Sequence, residues 1–462
     1  MDSAMELDTL SRKCLGNGDV FLILDLPEKS IVGHDSLAIT ANNTKELGFR
    51  DIPEGAHFLW VSVPNAVSRC GYWYVTPEGR KSVRVKQWDS YNEVLGAPGS
   101  QFEVREKKAN LESIYPKLIP YDYNGKSGNT ESGSLAPRKS LLRSASSLSL
   151  DVESLSPRHA LWQYLTWEID ETTLARITGK RATNDWLVDT SDAAKGEMQF
   201  DLRFAHSGGA ALKKIIGSEF NFLFSQDIAD LQIVDKVSTD SDDTTPRILA
   251  HLVRVGAESH ILADLQFTFL TGMHLSNLAC IEHWWALVLK IILRAYRLLL
   301  TNAKLCYRLL ETIHAQLVYN EKYLVGKSSE GGASRDNTAG EWMDGGEGIL
   351  ETIPLYKSKL RKAVQEYKRK VDEILCGSTP RRTTEHAEVA DAAAELEEWF
   401  SNHVREDKRR TGSTAADRQD DDGDDGVLVD RDNDSEDDDD APVIVELDES
   451  GREVGLVSFD RD

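Results

Sequence analysis

The chain has 462 residues, of which 40% are apolar, and a formal net charge of −23. That length allows two or three domains of about 100–200 residues each, and the apolar share is low enough to leave part of the chain outside any core. Fourteen acidic residues against two basic ones between Asp417 and Asp440 concentrate the charge in one tract, and the excess of acid argues against direct nucleic-acid binding, which needs clustered Lys and Arg.

Five short runs in the first hundred residues have the β-branched and aromatic character of strands: Val20–Leu26, Ile31–Ile39, His57–Val63, Gly71–Thr76 and Ser82–Trp88. Turn clusters such as Ile52-Pro53-Glu54-Gly55 and Pro77-Glu78-Gly79 separate them. The spacing predicts an antiparallel sandwich or barrel-like sheet, followed by a helix over Gln101–Tyr115. The Ser- and Gly-rich stretch 124–158 cannot bury enough apolar surface to offset its ordering entropy and reads as a linker. Within it, Arg143-Ser144-Ala145-Ser146 places Ser146 three residues after an arginine, as a kinase acceptor would be.

A mainly helical domain follows over 159–376. Leu161, Tyr164 and Leu165 open it at helical spacing, and Met198–Phe204 reads as an isolated strand. Ile261–Leu300 carries the strongest helical pattern, with Ser276-Asn277 as a cap between two helices. Further helices are predicted over Ala303–Leu324 and over Pro354–Leu375, the latter with a stripe of Leu360, Val364, Tyr367, Val371 and Leu375. Between them 327–348 is a Gly-rich loop. Trp284–Leu300 is too interrupted by Lys290, Arg294 and Arg297 to span a membrane and reads as a buried helix. Residues 377–440 are expected to be mostly disordered, with a weak helix over Glu385–His403. The fold class is therefore α+β, a β-rich N-terminal part and a mainly α-helical C-terminal part with a linker and an acidic tail.

No nucleotide, nucleophile-elbow or zincin motif is present, so no catalytic residue, cofactor or metal site is expected. The five cysteines are scattered without a C-x-x-C pair, as for reduced thiols buried one by one. Asn42-Asn43-Thr44 matches a glycosylation sequon but reads as a loop. Glu282 and His283 are adjacent on a helix, about 100° apart, and so share no face with each other. His34 and Asp35 read as a turn; the competing assignment makes them part of a hydrolase site with His57. The basic run Lys357–Lys370 reads as a solvated helix face, against an RNA-phosphate surface.

The last element is Val443-Ile444-Val445-Glu446-Leu447, at the end of the acidic tract. A short β-forming run there can add to the sheet edge of a partner, with main-chain hydrogen bonds supplying affinity, or can dock on the chain's own N-terminal sheet. Both readings follow from the residues alone.

Three blocks carry a resemblance. Gly33-His34-Asp35, followed by Ile52-Pro53-Glu54-Gly55-Ala56-His57-Phe58-Leu59, resembles the N-terminal signature of the A1-alpha2-repression (Aar-two) pre-mRNA splicing factor family, a G-x-D turn and then I-P-x-G-x-H-F. Leu262-Ala263-Asp264-Leu265-Gln266-Phe267-Thr268-Phe269 with Glu282-His283-Trp284 is similar to its L-x-E-L-Q-F-x-F…E-H-W stretch, with Asp264 in place of the usual Glu. Ala441-Pro442-Val443-Ile444-Val445-Glu446-Leu447 is similar to its A-P-V-V-V-E-L ending. The linker, the Gly-rich loop and the Asp tract look like insertions. The resemblance implies a β-rich domain followed by a helical one. It also implies a non-catalytic assembly chaperone of the U5 snRNP, cytoplasmic with nuclear entry left open and monomeric when free. Such a protein binds the RNase H-like and Jab1/MPN domains of the largest U5 protein and blocks premature helicase binding. The partner-binding role is carried onto Val443–Leu447, while most of Leu262–Trp284 is read as packing.

Overall fold

The computed structural model describes residues 14–41, 46–64, 66, 68–79, 81–121, 157–180, 186–195, 219–234, 243–324, 349–352, 356–377 and 383–412. Two units divide the chain, Met1–Arg405 and Glu406–Asp462. Of the second, only the helical backbone to Gly412 lies among the described residues. The expected strand Met198–Phe204, the sequon, the Gly-rich loop, Ser146 and Val443–Leu447 lie outside them.

Ten strands build two five-stranded sheets. The first has the order β8-β7-β1-β4-β9, from β1 (Asp19–Leu24), β4 (Glu46–Ile52), β7 (Val83–Asp89), β8 (Val94–Gly96) and β9 (Ile119–Pro120). The second has the order β10-β6-β5-β2-β3, from β2 (Ile31–His34), β3 (Leu37–Thr40), β5 (Gly55–Ser62), β6 (Arg69–Thr76) and β10 (Trp186–Asp189). A small parallel pair, β11 (Ala193–Ala194) and β12 (Glu219–Phe220), completes the strands. The sandwich expected from the sequence is present, but not wholly antiparallel: β1 pairs parallel with β7, and β4 with β9. The run Ile31–Ile39 is a hairpin rather than one strand. Asp35 adopts φ 53° between His34 and Leu37, which pair across the turn, and Asp tolerates the left-handed conformation that a two-residue turn needs.

The sheets make four layers with the helices. Phe21, Ile23 and Phe49 of the first sheet meet Leu59, Val61, Tyr72 and Tyr74 of the second. Val20 and Leu22 point the other way, onto Leu111, Ile114 and Leu118 beneath α1 (Gln101–Ala109) and α2 (Leu111–Ile114). Alternate side chains of β1 thus enter different cores, which is why Asp19–Leu24 is buried along its whole length. The helix expected over Gln101–Tyr115 breaks at Asn110, which ends one segment and opens the next.

The second sheet is likewise covered on both faces. Phe58, Trp60 and Trp73 belong to the core of the helical region. Trp73 Nε1–H donates to Thr271 Oγ1 at 3.0 Å, and Trp162 Nε1–H donates to the Ala56 carbonyl at 3.0 Å. The helical part consists of α3 (Pro157–Thr166), α4 (Glu171–Thr178), α5 (Ser225–Val234), α6 (Thr245–Val255), α7 (Ser259–Leu275), α8 (Leu278–Ala286), α9 (Leu298–Thr301), α10 (Ala303–Tyr319), α11 (Ile349–Thr352), α12 (Tyr356–Gly377) and α13 (Thr384–Gly412), with α3, α4 and α7 against the second sheet.

Helix α7 is buried all round from Ile261 to Leu275, the pattern of a central helix. Its polar members are paired: Gln266 accepts from the Glu168 amide at 3.0 Å and donates to the Tyr164 carbonyl, and Thr268 donates to the Asp264 carbonyl. Asn277 caps α8 as expected, accepting from the Cys280 amide at 2.9 Å. The stretch Trp284–Leu300 is mostly buried, with Arg297 and Leu300 exposed, and it is not one helix. A π turn over Leu287–Ile291 and a 3-10 turn over Ile292–Arg294 interrupt it, and Thr244 occupies the gap, bonding the carbonyls of Ile291 and Arg294. Among the described residues no helix is long and apolar enough to cross a membrane.

The α12 stripe is as the sequence predicts, Leu360, Val364, Tyr367, Val371 and Leu375 all being buried. The weak helix expected over Glu385–His403 is α13, and it packs: Val389, Ala393, Leu396 and Phe400 join the helical core. Burial of every cysteine is a correction, since Cys376 is exposed and Cys14 half-buried; all five are free thiols.

Candidate functional site

The first-sheet and second-sheet residues that carry the resemblance converge on one buried polar cluster. The β2–β3 turn brings Asp35 against β5, where its backbone N–H donates to the Phe58 carbonyl and its Oδ1 accepts from the Phe58 amide, both at 2.8 Å. Oδ2 accepts from His57 Nδ1 at 2.7 Å and from the Tyr121 hydroxyl at 2.6 Å. The other ring nitrogen of His57 donates to the Pro53 carbonyl at 3.0 Å. Gly55, with φ 128°, lets the chain turn from Pro53 into β5 and back over the ring. A Cβ on Gly33 would stand 2.0 Å from the Trp60 ring, so Gly33 keeps β2 in register beside β5.

His34, Asp35 and His57 are 1%, 2% and 1% exposed. Burial pushes the Asp35 carboxyl up, but the His57 and His34 imidazoles and the hydrogen bonds from His57 and Tyr121 outweigh it and hold it below the usual carboxylate range. For His34 burial dominates, and its pKa falls to about 4. Its ring stacks on Phe49 and lies nearly parallel to His57, and its Nε2 is 2.6 Å from the Tyr74 hydroxyl. His159 donates from Nδ1 to the Tyr121 oxygen at 3.1 Å, which carries the network from the sheets into α3.

The three residues of the hydrolase reading are therefore together in space, but at this burial no substrate can reach them. A recess of about 280 Å³ beside them is lined by Pro53, Thr76, His159 and Gln163 and by none of the three. Sequence reasoning found His34, Asp35 and His57 and missed Tyr74, Tyr121 and His159. These lie far apart along the chain with no local motif, and only the folded layers bring them together.

The other candidates disperse. Glu282 is exposed while its neighbour His283 is buried and stacked on Phe222, with ring centroids 4.4 Å apart. His274 bonds the Tyr319 hydroxyl at 3.1 Å instead. Burial lowers both histidines to about 3, with Arg176 and Arg69 adding to the shift at His283 and His274 respectively. On α12, Lys368 pairs with Asp372 and Glu397, Arg369 with Glu366 and Glu373, and Lys370 with Glu373. That pairing fits a solvated face better than a phosphate surface. The cleft of about 800 Å³ among α3, α7, α10 and α13 is bordered by Glu168, Glu311, Glu385, Glu388, Asp391 and Glu395 against Lys304 and Arg308, an excess of acid that also disfavours phosphate.

Residues 17–179 match the AAR2 N-terminal domain, and residues 224–407 match the AAR2 C-terminal repeat region. The two matches lie in family order and cover well over half of the chain. It belongs to the AAR2 family. A comparison with curated proteins finds no match. AAR2 membership implies a role in U5 snRNP assembly, and the family is in general one of non-catalytic assembly factors. The AAR2 N-terminal match ends at residue 179, beyond α3 and α4, in keeping with the direct contacts of α3 to the second sheet. In this light the G-x-D and I-P-x-G-x-H-F residues are the parts of one internal clasp, and the Leu262–Trp284 block is the centre of the helical core.

Proposed function

We propose that this AAR2 protein is a non-catalytic chaperone that holds the largest U5 snRNP protein through its RNase H-like and Jab1/MPN domains and keeps the U5 helicase off until assembly is complete. The observation that carries this reading is the pair of AAR2 matches in order along the chain. The burial of His34, Asp35 and His57 fits a structural role for that cluster. Val443–Leu447 is the added strand in this reading, its β-forming residues pairing main chain to main chain with a foreign sheet edge. The Asp417–Asp440 tract is its tether, solvating the strand and steering it toward a basic surface. Ser146 is a phosphorylation site that modulates this engagement through the charge of about −1.5 to −2 that phosphate adds.

Calorimetry of the full chain and of a chain lacking 441–462, each with the two recombinant partner domains, tests the proposal. Partner binding that weakens at least tenfold on deletion, with an unchanged melting temperature, is the expected result. Equal affinity of the two chains removes the strand from the mechanism, and no binding by either removes the partner assignment.

A further inference from the structure

Hydrogen bonding within the chain accounts for Asp35 and His57 but leaves His34 incomplete. His34 is 1% exposed, its Nε2 is used by Tyr74, and its Nδ1 has no partner among the described residues. Buried polar atoms are satisfied in the great majority of cases, and an orphan in a polar cluster calls for a water or an ion. Two imidazoles and a carboxylate stand together here: one ligand atom from each of His34, Asp35 and His57 lies within 4.8 Å of the others.

We propose that His34, Asp35 and His57 bind one divalent first-row cation, zinc by donor set, which takes the place of the proton on His57 Nδ1. A proton satisfies Asp35 and His57 alone, whereas a cation bound to His34 Nδ1 would also give that nitrogen the partner it lacks. The outer contacts are those a metal site uses to fix its ligands. Nε2 of His57 donates to the Pro53 carbonyl, Nε2 of His34 meets the Tyr74 hydroxyl, and the second carboxylate oxygen of Asp35 is held by the Phe58 amide. Ligand distances of about 2.0–2.2 Å require side-chain adjustments on the order of 1 Å from this arrangement. The Tyr121 hydroxyl donates to Asp35 Oδ2 at 2.6 Å and holds the carboxylate in place from outside the donor set. Imidazole and carboxylate suit zinc or a neighbouring transition ion better than magnesium or calcium, which take oxygen alone. Closed to solvent, such an ion would fasten the β2–β3 turn to β5, a structural role independent of partner binding.

The test uses the full chain, purified without an affinity tag or a metal column. Elemental analysis should find about one zinc per chain. Cobalt(II) added after chelation should give the visible bands of a low-coordinate nitrogen–oxygen site, and the melting temperature should fall on chelation and return with zinc but not with magnesium. His34→Gln should bind cobalt at least about tenfold more weakly, as loss of a metal-site contact does. A protein free of metal, without cobalt bands and with a melting temperature indifferent to chelator and zinc, holds a proton only and overturns the proposal. So does undiminished cobalt affinity in His34→Gln; should that variant not fold, the measurements on the unaltered chain decide.

Discussion

Asp264 illustrates how a single side chain organises the helical core. It lies on α7 with no exposed surface, pairs with Arg176 of α4 and accepts from the Leu223 amide at 2.7 Å. A carboxylate there replaces water with a guanidinium and a backbone donor, joining three segments that are distant in the chain. Removing one member of a buried pair strands the other, so Asp264→Ala should cost roughly 3 kcal/mol, at the low end of the range because Arg176 keeps some contact with solvent. A urea midpoint close to that of the unaltered chain would show that Arg176 and the Leu223 amide find other partners. Burial outweighs these partners and raises the Asp264 carboxyl, and acid acts on buried histidines as well. His274 and His283 have pKa values of about 3 in the fold, against about 6.5 in an unfolded chain. Between those values the unfolded chain binds more protons, so stability is complete above about pH 6.5 and falls as the solution is acidified. Urea midpoints at descending pH should trace that fall, and His283→Gln should flatten it. An unchanged slope would show that His283 is not among the groups responsible.

At the scale of elements, local pattern was legible wherever one face of a segment decided its burial. The α12 stripe reads directly from spacing, and Asn277 reads as a cap because Asn at that position accepts from an amide of the first turn. Its second role was invisible: the same side chain donates to the carbonyls of Asp189, Thr190 and Asp192, tying α8 to the end of β10. Asn277→Ala should therefore cost more than a cap alone, roughly 2–3 kcal/mol, since carbonyls are left unpaired as well. Chemical denaturation measures this, and a loss of about 1 kcal/mol would mean that water serves those carbonyls. The elements that pattern reading missed are those set by distant partners. β4 has no clear apolar alternation of its own and becomes a strand because β1 offers it an edge, while β10 exists because β6 does. The helix after Trp284 is broken by Thr244, whose hydroxyl and amide bond the Ile291 and Arg294 carbonyls from another segment. α13 read as weak because few of its residues are large and apolar, yet a narrow stripe of Val389, Ala393, Leu396 and Phe400 suffices against a core already formed.

Seen across the whole first unit, the β-rich and helical parts are not beads on a string, because Phe58, Trp60 and Trp73 of the second sheet are also members of the helical core. The clasp around Asp35 makes the same point at the linker. Tyr121 precedes it and His159 follows it, and their side chains meet at 3.1 Å with the rings edge to face. The intervening 122–156 stretch leaves and returns at one place, so a phosphate on Ser146 would act through what that stretch touches rather than by changing a distance between two parts. Closing a loop costs entropy that grows with the logarithm of its length, about 0.6 kcal/mol per doubling. Replacing the thirty-five residues 122–156 by roughly eight of Gly and Ser shortens it about two doublings and should raise stability by about 1 kcal/mol, provided the stretch adds no contacts of its own. Thermal and urea unfolding of the shortened chain measure this directly. A loss of stability would mean that residues within 122–156 pack against the folded layers, and would make the linker a structural element instead of an excursion from the clasp.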